Sequence, residues 1–286
     1  MADDPGLPTS WPAMGAHPED ALPSIGRRAF LGALVAWALA AARPAAAAVE
    51  VRQANYAVRT SLLFGLLHFE VNGVIDETID RQEGRYEVRV AGRGVDMVSE
   101  IESRGVLLDG RWTPLRFHDH FVVYGRESNL EITYDHSRRT AEYHGRSETF
   151  LLGRLRSTDD VVTLTPASHV DDVISAALNF ADGRWPAEPD GTLVTQVVRR
   201  RRTPDEGADD VARGYRAEVV PFVLNLAPDP KSGRLEASFD LTKFTSWGLE
   251  KEPARIVFGP DRRPEGITAS LILGTSFTVR ITPRSL

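Results

Sequence analysis

The chain reads as a mainly β protein, a large antiparallel sheet carrying one amphipathic helix. Three observations carry that reading. Polar and apolar residues alternate in run after run, turn-forming residues separate the runs, and one segment has helical periodicity instead. A period of two places successive side chains on opposite faces, so one face of the sheet packs and the other meets water.

The elements follow in order. In "RYEVRV", Tyr86, Val88 and Val90 share one face, and Arg85, Glu87 and Arg89 the other. "LLDGRW" holds Asp109-Gly110 between two such segments, the strongest short hairpin signal. "NLEITYD" sets Leu130, Ile132 and Tyr134 against Glu131 and Thr133, and "YDHSRRTAEYH" reads as a hairpin with a longer loop. "YRAEVVPFVLNL" and "EASFDL" continue the alternation, with "APDPKSGR" and "GPDRRP" as loops between further strands. Roughly a dozen strands at this spacing suit a barrel or a sandwich.

"TPASHVDDVISAALNFADGRWP" is the exception. Ser168 is the expected N-cap, with Asp171 and Asp172 in the first turn, where the helix dipole favours anions. Val170, Val173, Ile174, Ala177 and Leu178 form the apolar stripe, and Gly183 and Pro186 stop the helix.

Composition removes several function classes. The chain has 286 residues, with 34 basic and 40 acidic side chains and a formal charge of −6, which argues against a general nucleic-acid binder. With no cysteine there is no disulfide, thiolate metal site, catalytic thiol or lipoprotein anchor. "SIGRRAFLGALVAWALAAARPAAAAVEV" has the three parts of an export signal: Arg27 and Arg28, an Ala-rich apolar run from Ala29 to Ala42, and small residues including Ala46 and Ala48 before the cleavage point. The arginine pair before x-Phe-Leu, the polar leader and Arg43 favour the twin-arginine route. The apolar run is shorter than the about 20 residues of a bilayer span. Residues 1–48 are therefore expected to be the signal and 49–286 a single β-rich domain, periplasmic or extracellular, meeting the membrane only during export.

"YAVRTSLLFGLLHFEVNG", "GRYEVRVAGRG", "ESRGVLLDGRWTPLRFHDHF", the Asp172-x-x-Ser175 helix start and the late "GPDRRPEGI" strand together resemble the DUF3108 group of exported envelope proteins. The resemblance spans residues 55 to 281 as a pattern and is weakest near "RRRRTPDEGADD". It implies a strongly curved antiparallel sheet or open barrel, lipocalin-like or lipoprotein-carrier-like, around an apolar interior. It carries over no catalytic residue.

Candidate chemistry centres on "LRFHDHFVVYG". On a strand, His118 and His120 share a side, about 7 Å apart, the spacing of a strand-borne metal pair. A further ligand would come from His136, His144, Asp135 or Glu142. The competing reading sends both histidines to solvent with Arg116, because Leu115, Phe117, Phe121 and Val123 make the better core face. Asp119 then falls among the core residues, and a buried carboxylate must pair or keep its proton. Arg89 and Arg104 are its expected partners. "VVRRRRTPDEGADD" reads as an exposed loop whose acids offset its arginines. No G-x-S-x-G, P-loop lysine or H-E-x-x-H occurs. Phe69, Tyr86, Phe117, Phe121 and Tyr134 could line an apolar pocket in a curved sheet, or the helix could plug a filled core. The leading expectation is a non-catalytic protein that binds a hydrophobic, lipid-like ligand. The alternatives are a metal-dependent hydrolase or oxidoreductase using His118 and His120, and an assembly factor working through an exposed strand edge. No cofactor or oligomeric state is indicated.

Overall fold

Fifteen strands form one continuous sheet in the order β8-β7-β6-β5-β4-β3-β2-β1-β15-β14-β13-β12-β11-β10-β9. The computed structural model describes residues 49–284 except 63, 65, 166–168, 204–205, 230–231 and 250. The proposed export-signal residues Arg27, Arg28, Ala46 and Ala48 lie outside the described residues, as does Ser168.

The strands are β1 (Val49–Leu62), β2 (Leu67–Asp80), β3 (Arg85–Gly94), β4 (Met97–Leu108), β5 (Arg111–Val123), β6 (Arg126–Asp135), β7 (Thr140–Glu148) and β8 (Leu155–Thr163). The short β9 (Val170–Asp171) follows, then the helix α1 (Val173–Ala181) and β10 (Leu193–Arg200). The series ends with β11 (Ala217–Pro228), β12 (Leu235–Phe239), β13 (Ala254–Phe258), β14 (Pro264–Leu271) and β15 (Thr275–Pro283). All neighbours pair antiparallel except β9 and β10, which are parallel. Among the described residues no helix is long and apolar enough to cross a membrane.

The sheet curls, and its core shows how far. Phe117, Ile132 and Tyr134 of β5 and β6 pack with Val198 of β10 and Ala217 of β11, strands far apart in the ladder order. The ladder does not close; instead Asp160 of β8 accepts from the Ala217 backbone N–H at 2.9 Å and from Arg216 at 2.9 Å. In the middle of the ladder, away from that seam, Arg263, just before β14, reaches over β15 and β1 to Glu77 of β2 with contacts of 2.9 and 2.7 Å. The fold is thus a curled, open sheet stitched across its seam by side chains.

Turns alternate between two ends. The β2–β3, β4–β5, β6–β7 and β13–β14 turns sit at one end, which we call the plug end, because α1 packs there. The β1–β2, β3–β4, β5–β6, β7–β8 and β14–β15 turns sit at the opposite, open end. The helix is shorter than its sequence pattern. Asp172 is its N-cap and Val170–Asp171 pairs with β10 as a strand, so Asp171 lies before the helix and not in its first turn.

Register corrects one further expectation. Arg104 pairs with Arg116 and the next residue, Gly105, with Pro114, so Leu115 is the extra residue of a β-bulge. The bulge flips the alternation: Trp112 and Pro114 face inward before it, Phe117, Asp119 and Phe121 after it, and Leu115 is exposed, not core.

Candidate functional site

The helix is fixed to the sheet by a buried polar network, and that network decides which part of the interior is filled. Asp172 Oδ1 accepts from the backbone of Ile174 (2.9 Å) and Ser175 (2.7 Å), while Ser175 Oγ accepts from the Asp172 backbone at 2.9 Å, a complete capping box. Ser103 of β4 donates to Asp172 Oδ2 at 2.5 Å and lies 3.0 Å from the Tyr86 hydroxyl. Asp171 receives Arg111 at 2.8 Å, Thr195 at 2.6 Å and Asn179 at 2.9 Å. Asn179 exchanges two bonds with the Trp112 backbone, at 2.8 and 2.7 Å, as a strand neighbour would. Burial raises both carboxyls, Asp171 against the opposing pull of Arg111 and Asp172 to about 6.

Beneath the helix the interior is packed. Tyr86, Val88, Ile79, Trp112 and Leu178 form a closed cluster. Tyr86 therefore does not line a pocket, contrary to the sequence expectation: α1 covers its part of the sheet. Beyond the helix N-terminus the inner face stays open. One cavity of about 430 Å³ is lined by Phe117, Asp119, Ile132 and Tyr134 on one side and by Val197, Phe222 and Phe244 on the other. A second, of about 410 Å³, continues toward the open end along β5, past Phe121 and Val123 to Phe69, Met97 and Trp247. The 3-10 turn Leu241–Lys243 and the stretch after it run over both: Leu241 and Phe244 line the first cavity, Thr245 and Trp247 the second. Phe150 and Trp247 meet edge-to-face across the second, their centroids 6.0 Å apart.

Four of the five expected pocket residues thus border cavities, Phe117 and Tyr134 the first, Phe69 and Phe121 the second. Phe222, Phe239 and Phe244 were missed. Phe222 and Phe239 lie in alternating runs that could have flagged them, whereas Phe244 follows a turn and carries no periodic signal.

Asp119 is partly buried between Ile101 of β4 and Leu130 of β6. No ion pair reaches it among the described residues. The expected partners are on the wrong face: Arg89 pairs with Glu102 at 2.8 Å outside the sheet, and Arg104 is also exposed. Burial pushes the Asp119 carboxyl up, against a weaker pull from His118 and His120.

Both histidines occupy the outer face. His118 is flanked by Glu102 and Glu131, and His120 lies 3.1 Å from Glu127. His144 pairs with Asp159 and His136 with the Pro114 carbonyl, so neither joins them. Among the described residues no cluster of three His, Asp or Glu side chains could hold a metal.

The arginine-rich segment compensates itself as expected, but it is not wholly exposed. Arg200 pairs with Glu206, which is buried, and Arg202 donates to the Thr242 and Thr245 carbonyls, bracing the stretch over the cavities.

No protein-family model matches the chain, and no curated protein matches it. Among solved structures, it is similar to a beta-barrel-like protein of a domain of unknown function, DUF1849, from Brucella abortus, with 10% identity and a TM-score of 0.33 over 82% of this chain and 99% of that one.

Proposed function

We propose that the protein is exported, by the twin-arginine route, to the periplasm or beyond, where it binds or carries a hydrophobic, lipid-like envelope ligand without catalysis. The carrying observation is the pair of apolar cavities laid end to end along β5. Each exceeds the about 300 Å³ at which small-molecule sites begin. Their walls are mainly apolar, with Asp119, Asp171 and Asp172 at the first and Arg126, Glu127, Glu148 and Arg156 at the second, so a ligand is held chiefly by removal of apolar surface from water, worth about 25 cal/mol per Å². An elongated acyl chain matches two compartments in series better than a compact molecule does. The resemblance to the DUF3108 group belongs to the same proposal.

The test is binding of a fluorescent acyl-chain probe, with native mass spectrometry of the purified protein for co-purifying lipid. Leu241 lines the first cavity from a surface turn, so Leu241→Trp should obstruct it without disturbing the sheet. The variant is expected to bind the probe at least about tenfold more weakly, a loss of about 1.4 kcal/mol. Wild-type protein that neither carries lipid nor takes up the probe would refute the reading.

A further inference from the structure

The two ends of the sheet differ in chemistry, although their turns are built alike. The β4–β5 turn at the plug end is Asp109-Gly110, with φ of 51° and 78°. The β5–β6 turn at the open end is Tyr124-Gly125, with φ of 49° and 72°. Both are two-residue hairpins in the left-handed region, where Asn or Asp is favoured and a bulky side chain is an outlier. The other plug-end turns are charged: "RQEG" (81–84), "HSRR" (136–139) and "GPDRR" (259–263).

The open-end turns carry exposed apolar side chains instead. Phe64 and Leu66 of the β1–β2 turn are each 80% exposed, and Val95 of the β3–β4 turn is 86% exposed. Leu151 and Leu152 project from the β7–β8 connection and Leu273 from the β14–β15 turn. Phe64 and Leu273, like Tyr124, hold left-handed backbone, with φ of 57° in each.

These tips form one rim. The Phe64 N–H bonds the Leu273 carbonyl at 3.1 Å, and the Tyr124 N–H bonds the Asp96 carbonyl at 2.9 Å. Tyr124 packs on Phe69 with ring centroids 5.0 Å apart, and the Arg126 guanidinium lies against Gly153. Leu62, Met97, Val123, Phe150 and Leu271, which adjoin the same turns, line the second cavity. The rim therefore surrounds its mouth.

We infer that this open end docks on a lipid bilayer, its hairpin tips entering the interface and the cavity opening toward the lipid. The inference deepens the ligand-binding reading, on which it rests, by naming the membrane as the source or destination of the ligand. The apolar residues project from five separate turns, a form that suits a deformable apolar phase better than a rigid partner. Three arginines near the tips, Arg93, Arg126 and Arg154, are without ion pairs among the described residues and can meet anionic headgroups, while the acids at the same distance from the turns are Asp96, Glu127 and Glu148. Exposed aromatic and aliphatic tips with unpaired arginines beside them suit interfacial membrane binding.

Co-sedimentation of the full chain with vesicles of phosphatidylglycerol and phosphatidylethanolamine tests this. The triple variant Leu66→Asp, Val95→Asp and Leu152→Asp alters only exposed positions and is expected to lower the partition coefficient at least tenfold. The control pair Leu107→Asp and Leu108→Asp, exposed beside the plug-end turn, should leave it unchanged. Residues 1–48 are common to every variant, so the differences report the rim. Equal partition of all variants would overturn the inference. So would a wild-type self-association that the triple variant abolishes with no vesicle binding, because the rim would then be an interface between copies. Vesicle partition is read on rim variants and probe uptake on the cavity variant Leu241→Trp, so failure of partition leaves the acyl-probe result standing, and failure of that probe leaves the partition result readable.

Discussion

Asp172 holds three roles in one carboxylate: it caps α1, accepts from Ser103, and lies buried beside Asp171. Burial raises its pKa from 3.8 to about 6. Between those values the folded protein keeps a proton that the unfolded chain has released, so stability falls as pH rises through that window and levels off above it. A shift of this size corresponds to about 3 kcal/mol. Asn retains the cap, so Asp172→Asn should remove this dependence: relative to the variant, wild type should lose on the order of 3 kcal/mol between about pH 4 and pH 7.5, measured by urea unfolding. A difference that does not change with pH would contradict the assignment. Asp119 is raised for the same reason, and its carboxylate has no partner among the described residues to offset the cost. Its contribution has the same sign, with stability greatest below the ordinary carboxylate range and lost as pH climbs to the folded value. Asp119→Leu is expected to stabilise the protein at neutral pH by about 1–2 kcal/mol, since the site already lies between Ile101 and Leu130.

The helix is an element held by polar bonds as much as by its apolar face. Arg111 and Asp171 are both almost fully buried, at 6% and 2% side-chain exposure, and meet at 2.8 Å. Arg111→Met would leave Asp171 charged without its partner, at a cost of about 3–5 kcal/mol. Because the same arginine also holds the Arg184 carbonyl just past the helix, amide hydrogen exchange should quicken across Val173–Ala181 before it does in β3 and β4. Unchanged protection of α1 in a folded variant would mean that apolar packing alone seats the helix. Much of this element was legible in "HVDDVISAALNFADG": the stripe, the stop at Gly183, and, through the resemblance, the helix start at Asp172 and Ser175. Local pattern alone misplaced that start. Asp171 and Asp172 suit a first helical turn, and only the pairing of Val170 and Asp171 with Gln196 and Val197 of β10 makes the chain enter later. The same limit hid the bulge at Leu115, since an extra residue leaves local alternation plausible on both sides and only the partner strand reveals the flip. The open-end turns hid for a different reason. Tyr124 and Leu273 occupy positions where Asn or Asp would have announced a hairpin.

At the scale of the sheet, alternation disclosed a one-faced antiparallel structure, but not where its ends would meet, because that depends on contacts between strands remote in sequence. The seam rests on few groups. Asp160 of β8 takes two bonds from Arg216 and Ala217 at the start of β11, and these hold its carboxyl below the usual range. A lowered folded pKa means that the stabilisation is present above the unfolded value and is lost as pH falls through the folded one, opposite in sign to Asp119 and Asp172. The neighbouring contacts of Arg156 with the carbonyls of Gly207, Ala208 and Asp210 extend the seam toward the open end. Opening it would separate Ile132 and Tyr134 from Val198 and Ala217, and so widen the first cavity at its wall. Asp160→Ala is therefore expected to speed hydrogen exchange in β8 and at Ala217 while β1 and β2, in the middle of the ladder, stay protected. It should also speed both uptake and release of an acyl probe in stopped-flow measurements, with a smaller change in affinity. If β8 and β1 lose protection together, the sheet opens as one cooperative unit and the seam is not a separate gate. If exchange quickens at β8 with probe kinetics unaltered, ligand passes through the open end alone, and the rim of hairpin tips is the entrance that matters.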